Sequence, residues 1–385
     1  MKPAPGPRAV LLTGVTGSLG GYLCAELLAR TRATAYCLAR GSAQRAEERL
    51  AALGVTPAER LVHVPGDITR TRLGLAPAAY DALAESVDEV LHCAAQVDFA
   101  AEYDLLAPVN VGGTRHIIAF AEHAARLTGR AVPIRYISTL GTLCAARAAG
   151  LTEVDENTPA TPTTAGQLGY TRTKATAERD LHAAEDRGVP LTLFRPGVVT
   201  GHSTTGRTGT SDLLVPILSA SAALGRVPEG VGVIPMDAVD VVARSLIQLC
   251  RLPDAAGQTY HLIHPEPVPL TDVFEAMRRA GYRLETTEAD AWWSHVDDHA
   301  TDPWVRSQAV LRDLTRYCMI TGPEYLVPRT LADRTWKTLT EAAVPRPPLD
   351  AAYLDRLVHS LTVTEALPPP SADISAGSST ELPSA

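Results

Sequence analysis

The stretch LLTGVTGSLGGYLCAELLAR, residues 11–30, joins a short apolar run to a segment of helical period through a loop with a glycine at every third position. Gly14, Gly17 and Gly20 therefore have G-x-x-G-x-x-G spacing. Glycine removes the Cβ atoms that would keep backbone N–H groups away from a pyrophosphate, and a helix N-terminus favours negative charge. The stretch predicts a strand–turn–helix unit that binds a dinucleotide.

The same strand-helix alternation continues over the first two hundred residues. Short apolar runs occur at residues 8–13, 33–39, 60–67, 88–95, 132–139 and 189–197, and segments of helical period separate them. Such alternation is typical of a parallel sheet with helices on its faces. We expect an α/β protein with a Rossmann-type, doubly wound parallel sheet.

After residue 201 the alternation loosens. Helical segments at 213–225, 239–250 and 271–281 are separated by a proline-rich strand candidate at 259–270. We predict a dinucleotide-binding domain over 1–200 and a smaller, mostly helical substrate lobe over 201–362, with sheet-completing segments interleaved. Residues 363–385 are poor in large apolar side chains, so we expect a disordered tail there.

Composition excludes several classes of partner. Asp and Glu number 43 against 35 Lys and Arg, so a net charge of -8 offers no attraction to nucleic acid or to an anionic membrane. No apolar run could span a bilayer, and the first residues lack the core of a signal peptide. The six cysteines show no C-x-x-C pair and no nearby histidine cluster. We expect a cytoplasmic monomer without a metal or disulfides.

The end of the second strand distinguishes the two common dinucleotides. An acidic residue there would hold the ribose 2′-hydroxyl of NAD, but the sequence C-L-A-R-G-S places Arg40 at this position. Arg40 favours NADPH, and the alternative is a solvated surface arginine. Further along, Asp67 is placed to contact the adenine, and Ala94 and Ala95 would let the chain pass close to the cofactor.

A candidate catalytic group follows from two separate segments. Y-T-R-T-K at 170–174 puts Tyr170 and Lys174 one helical turn apart, and I-S-T-L-G-T delivers Ser138 and Thr139 to the carboxyl edge of the sheet. A nearby ammonium is expected to lower the Tyr170 pKa from its usual value near 10, so that the phenol can exchange protons. Thr139 would hold the substrate oxygen. The alternative is an ordinary helix face.

With these segments the sequence resembles the extended short-chain dehydrogenase/reductase superfamily, and most closely its thioester reductases. These are the terminal reductase domains of non-ribosomal peptide and polyketide synthetases and the reductase domains of carboxylic acid and aminoadipate reductases. Matching segments extend to about Asp240 and include LLTGVTGSLGGYLCAELL, VPGDITRTRLGL, DEVLHCAAQVDFAAEYDLLAPVNVGGT, ISTLGT, GYTRTKATAE and LFRPGVVTGHSTTGRTGTSDLL.

The resemblance implies that NADPH delivers hydride to an acyl thioester on the phosphopantetheine arm of a carrier protein or domain. Thr139 and Tyr170 would stabilise and protonate the oxyanion, and Lys174 would hold the ribose and tune the tyrosine. The hemithioacetal would release an aldehyde, which some members reduce to an alcohol. The predicted cofactor contacts are Gly14, Thr16, Gly17, Ser18, Leu19, Gly20, Arg40, Asp67, Ile68, Ala94, Ala95, Asn110, Tyr170, Lys174, Pro196 and Val198.

The sequence departs from the family pattern in places. Ser18 replaces a bulky aromatic residue, T-K-A stands where Ser-Lys-Trp is common, and the 385 residues contain no segment that resembles a carrier or adenylation domain. A free-standing reductase and an excised terminal domain both stay open. Two other functions also stay open. One is a sugar-nucleotide epimerase or dehydratase, which Arg40 disfavours. The other is a non-catalytic NADPH-binding regulator, a class that typically loses the tyrosine or lysine.

Overall fold

Seven parallel strands form the central sheet of the computed structural model, which describes residues 8–41, 43–53, 59–208, 213–321 and 326–370. In chain order the described strands are β1 (Ala9–Thr13), β2 (Thr34–Ala39), β3 (Leu61–Pro65), β4 (Glu89–His92), β5 (Ile134–Ile137), β6 (Glu153–Val154), β7 (Leu191–Pro196), β8 (Val198–Thr200), β9 (Arg226–Pro228), β10 (Val233–Ile234), β11 (Met236–Ala238), β12 (Gln258–Leu262), β13 (Val268–Pro269), β14 (Glu285–Thr287) and β15 (Arg329–Thr330). The sheet order is β12-β7-β5-β4-β1-β2-β3. The predicted Rossmann-type parallel sheet is confirmed.

Helices cover both faces of this sheet. They are α1 (Ser18–Arg30), α2 (Gln44–Ala51), α3 (Pro77–Ser86), α4 (Tyr103–Ala107), α5 (Gly113–Thr128), α6 (Pro162–Ala165), α7 (Gly169–Glu185), α8 (Val215–Leu224), α9 (Val239–Cys250), α10 (Leu270–Arg279), α11 (Ala289–Asp298), α12 (Arg306–Val310), α13 (Arg312–Cys318), α14 (Asp333–Glu341) and α15 (Ala351–Val363). Helices α1 and α9 pack together, as do α3, α5 and α7.

Two buried clusters show why the sheet needs both layers. Successive side chains of β1 point to opposite faces, so Val10 and Leu12 join one cluster and Leu11 joins the other. The first cluster contains Leu23 of α1, whereas the second contains Ile117 of α5. A strand that is apolar on both sides is stable only when both faces are covered.

The part of the chain after residue 200 contributes to the sheet as well as to the lobe. β12 pairs with β7 at the edge of the central sheet, and α9 packs on α1. The region predicted as a lobe also contains α8 and residues 289–318, together with short two-stranded pairings such as β14 with β9. The division at residue 200 stays a prediction.

The expected disorder does not begin at residue 363. Ala366 and Leu367 are buried, and the hydroxyl of Tyr282 donates to the Pro368 carbonyl over 2.8 Å. Apolar contact and a hydrogen bond therefore hold the chain to residue 370. The rest of the predicted tail, 371–385, lies outside the described residues.

The described ranges were expected to contain neither a membrane-spanning helix nor a metal site. None of the helices in these ranges combines the length and the apolar character needed to cross a bilayer. Within the same ranges, no three His, Cys, Asp or Glu side chains are grouped as metal ligands.

Candidate active site

A cavity of about 790 Å³ lies at the carboxyl ends of the central strands. This is where ligands bind in open parallel sheets. Its lining contains Thr139 and all but one of the predicted cofactor contacts: Gly14, Thr16, Gly17, Ser18, Leu19, Gly20, Arg40, Asp67, Ile68, Ala94, Ala95, Tyr170, Lys174, Pro196 and Val198. The tertiary structure thus brings together residues from segments that are distant in the chain.

Asn110 is the exception, because it does not line the cavity. Its side chain is buried behind the wall, where Oδ1 accepts from the Gln96 N–H over 2.8 Å. Its Nδ2 donates to the Gln96 carbonyl and to Thr173 Oγ1, each over 3.0 Å. Asn110 therefore holds the loop that follows β4 against α7.

The glycine loop is a close backbone crossing between β1 and α1. Gly14 has φ +81°, and a Cβ there would lie 2.7 Å from the Ala94 nitrogen. A Cβ on Gly20 would lie 1.9 Å from the Gly14 carbonyl oxygen. Gly17 precedes α1 and has no side chain to cap the first helical N–H groups, which an anionic ligand can then bind. The loop fits a pyrophosphate.

Gly20→Ala is expected to weaken NADPH binding by at least ~10-fold and to lower stability by about 1–3 kcal/mol, because the loop must open to admit a methyl group. Gly112→Ala is the matched control, since a Cβ at this helical position meets nothing closer than 3.8 Å. Fluorescence titration and thermal unfolding measure both effects. Wild-type binding by Gly20→Ala would contradict the close crossing.

Arg40 and Asp67 stand together at the mouth of the cavity, after β2 and β3. Burial disfavours the Asp67 carboxylate, but hydrogen bonds from Thr69 and the charges of Arg40 and Arg70 outweigh it and lower the Asp67 pKa. Asp67 Oδ1 accepts from the Thr69 N–H over 2.9 Å. This corner therefore presents one fixed carboxylate and one exposed arginine.

Tyr170 and Lys174 are both buried on the first turns of α7. The Tyr170 ring meets Phe99 edge-on at 5.3 Å. Lys174 Nζ donates to the Ile137 carbonyl over 2.6 Å and lies 4.3 Å from the centre of the Tyr136 ring. The ammonium is thus anchored at the end of β5, one helical turn from the phenol.

The expected lowering of the Tyr170 pKa is wrong for this structure. Burial raises the pKa, because it disfavours the phenolate, and electrostatic repulsion between the phenolate and a Cys93 thiolate raises it further. Burial also lowers the Lys174 pKa to about 8, although Cys93 and Glu178 partly oppose this shift. At neutral pH the phenol stays protonated, as a proton donor requires, and Lys174 remains mostly charged.

The two adjacent hydroxyls at the end of β5 have different partners. Ser138 is buried and donates to Glu178 Oε1. Both residues line the cavity, but the Thr139 Oγ1 accepts from the Gly141 N–H over 3.0 Å. Since that lone pair is engaged, the Thr139 proton remains to be donated to a substrate oxygen. The structure thus favours Thr139 over Ser138 as the substrate contact.

The structure contains a buried ion pair beneath the site that was not predicted from the sequence. Arg195 Nη2 and Nε donate to Glu178 over 2.6 and 3.1 Å, and both side chains are 2% exposed. Arg195 Nη1 also donates to the Thr158 carbonyl over 2.8 Å. The only sequence signal is that Glu178 follows Lys174 by four residues, on the same helix face.

Comparisons with known proteins agree with this geometry. The NAD-binding family described as "Male sterility protein" matches residues 12–246. The crystal structure of the terminal R domain from the myxalamid PKS-NRPS biosynthetic pathway is 32% identical with a TM-score of 0.85, covering 96% of this chain and 94% of that one.

Two curated relatives are each 34% identical. A linear gramicidin synthase of Brevibacillus parabrevis matches over 305 residues, which are 77% of this chain and 6% of the relative. Glycine betaine reductase ATRR of Emericella nidulans matches over 309 residues, which are 76% of this chain and 24% of the relative. The chain thus spans at most about a quarter of these relatives. The resemblance to thioester reductases is confirmed.

Proposed function

The chain belongs to the NAD-binding family described as "Male sterility protein", and we propose that it reduces acyl thioesters with NADPH. The acyl group would be carried on the phosphopantetheine arm of a carrier protein or domain and released as an aldehyde. The observation that carries this proposal is the shared cavity, in which the glycine loop meets Thr139, Tyr170 and Lys174. The similarity to a terminal R domain over nearly the whole chain supports it.

The residues present fit the proposed cofactor. Gly14 and Gly20 leave no room for a Cβ, so the loop packs closely against the backbone. Gly17 leaves the start of α1 without a side-chain cap, so the first N–H groups can bind a pyrophosphate. Arg40, at the end of β2, offers a guanidinium that can pair with a 2′-phosphate. NADPH, when bound, supplies the hydride for the reduction.

Side chains of this protein stabilise the negative charge that develops on the carbonyl oxygen of the substrate. The Thr139 hydroxyl donates a hydrogen bond to the carbonyl oxygen, and the protonated Tyr170 phenol gives that oxygen its proton. The buried Lys174 ammonium stabilises the negative charge as it passes from substrate to tyrosine. The resulting hemithioacetal then loses its hydroxyl proton as its carbon–sulfur bond breaks, and the leaving thiolate takes up a proton, which gives an aldehyde and a free thiol.

The proposal also includes a partner, an oligomeric state and a cellular location. Two of the relatives are a linear gramicidin synthase and a glycine betaine reductase, which supports a carrier-bound substrate. The acidic net charge of -8 supports a protein partner over nucleic acid or a membrane surface. We also propose that the chain acts as a monomer in the cytoplasm.

The test is incubation of the protein with NADPH and a panel of acyl-pantetheine and acyl-carrier thioesters. NADPH oxidation is followed by absorbance, and mass spectrometry identifies the free thiol and either the aldehyde or the alcohol. Oxidation that depends on the thioester supports the proposal. No oxidation with any thioester, together with tight NAD binding and turnover of a sugar nucleotide, would favour the epimerase or dehydratase alternative.

Arg40→Asp is expected to abolish or invert the preference for NADPH over NADH, because a carboxylate repels the 2′-phosphate and accepts from a 2′-hydroxyl. Fluorescence titration of both cofactors measures the preference. Arg126→Asp makes the same charge change on an exposed residue outside the cavity lining, so it should leave the ratio unaltered. Equal affinities of the unmodified protein for the two cofactors would overturn the assignment.

A further inference from the structure

One wall of the cavity lies beyond the catalytic residues and is built by two distant parts of the chain. Leu140 and Leu143 come from the turn after β5, and Leu314, Cys318, Met319 and Val327 come from the region around α13. We call these six residues the acyl wall. Leu143, Leu314 and Met319 are at most 5% exposed, so this wall is a packed apolar surface.

In the described part of the cavity lining, the charged side chains lie away from the acyl wall. Among the described lining residues, the charged side chains are Arg40, Arg45 and Asp67 at the proposed dinucleotide end, and Lys174 at the catalytic centre. The Lys174 ammonium already donates to the Ile137 carbonyl. The acyl wall thus offers no opposite charge to a charged group placed against it.

The cysteine thiols at this end of the cavity add no charge to the acyl wall. Cys144 also lines the cavity, and its Sγ donates to the Ala165 carbonyl over 3.6 Å. A hydrogen bond with Cys144, followed by burial, raises the Cys318 pKa well above its usual value. Cys318 is therefore a neutral thiol at physiological pH, and it behaves as a small apolar side chain.

We propose that the acyl wall selects an uncharged, apolar acyl chain and rejects chains that end in a carboxylate or an ammonium. The proposal rests on the proposed function, because it names the acyl group of that reaction. A charged end group would lose its water without gaining a partner, whereas a methyl end would gain apolar contact. Discrimination of this kind appears in kcat/KM.

The test compares three pantetheine thioesters of equal chain length with NADPH: octanoyl, 8-aminooctanoyl and the monothioester of octanedioic acid. We expect kcat/KM for octanoyl to exceed that for each charged analogue by at least ~100-fold, which is about 2.7 kcal/mol at 1.36 kcal/mol per tenfold. Similar values for all three, or a preference for a charged chain, would overturn the inference. The proposed function itself fails only if neither these three nor the acyl-carrier thioesters of the wider panel are reduced.

A charge placed in the acyl wall gives a second, independent readout. Cys318→Lys is expected to raise the octanedioyl-to-octanoyl ratio of kcat/KM by at least ~10-fold, because the new ammonium can pair with the chain's carboxylate. Val310→Lys is the matched control, since this residue is 61% exposed and lies outside the cavity lining. If both variants changed the octanedioyl-to-octanoyl ratio of kcat/KM equally, the acyl wall would not be the surface that contacts the acyl chain. If Cys318→Lys does not fold, the comparison of thioesters on the unmodified protein still decides.

Discussion

Tyr170→Phe is expected to lower kcat for thioester reduction by ~10²-fold to 10⁴-fold while leaving NADPH affinity near its normal value. The substitution keeps the ring, which packs edge-on against Phe99 at 5.3 Å, and removes only the hydroxyl. Burial raises the pKa of that hydroxyl, so it is protonated at neutral pH and able to donate. Its loss therefore removes proton transfer without disturbing the core.

The matched control for this variant is Tyr103→Phe. Tyr103 also loses a hydroxyl, but it lies outside the cavity lining and its hydroxyl donates only a long 3.4 Å bond to Thr176 Oγ1. NADPH oxidation at saturating thioester and cofactor titration are measured for both variants. Near-normal turnover in Tyr170→Phe would show that the Y-T-R-T-K segment is a helix face and not a proton donor.

Glu178→Gln is expected to destabilise the protein by about 3–5 kcal/mol, because it leaves the Arg195 guanidinium buried without a counter-charge. Both side chains are 2% exposed, so water cannot replace the lost partner. Turnover should fall as well, since Ser138 donates to Glu178 and its neighbour Thr139 lines the cavity. Urea denaturation gives the free energy of unfolding.

Asp180→Asn provides the control, two residues further along α7. Asp180 pairs with Arg115 over 2.7 Å, but the Arg115 side chain is 59% exposed, so this loss should cost only about 0–1 kcal/mol. The double variant Glu178→Met with Arg195→Met should recover stability relative to Glu178→Gln, because no unpaired charge remains. Equal costs for the two single variants would contradict a special role for the buried pair.

The features that the sequence determined by itself depend on local requirements. Six apolar runs predict β1 to β5 and β7, because a strand buried on both faces needs apolar side chains on successive residues. The spacing of Gly14, Gly17 and Gly20 predicts the cofactor loop, because the close approaches at Gly14 and Gly20 exclude a Cβ and the one at Gly17 leaves little room for it. The step from Tyr170 to Lys174 predicts a shared helix face. Each of these features can be predicted from neighbouring residues.

Other features were decided only by tertiary contacts between distant residues. Ser138 and Thr139 are alike in the sequence and both line the cavity, and only the hydrogen bond from Ser138 to the Glu178 carboxylate distinguishes their hydroxyls. Asn110 is turned from the cavity by its bonds to Gln96 and Thr173.

The energetics of the site depend on tertiary packing in the same way. The spacing of Tyr170 and Lys174 suggested a lowered tyrosine pKa, but burial by the surrounding core raises it. Arg195 meets its partner Glu178 only where β7 packs beneath α7, and Leu314 of α13 reaches the cavity from a part of the chain more than a hundred residues further along. Burial and ion pairing depend on which distant segments pack together, and no local pattern of residues encodes that.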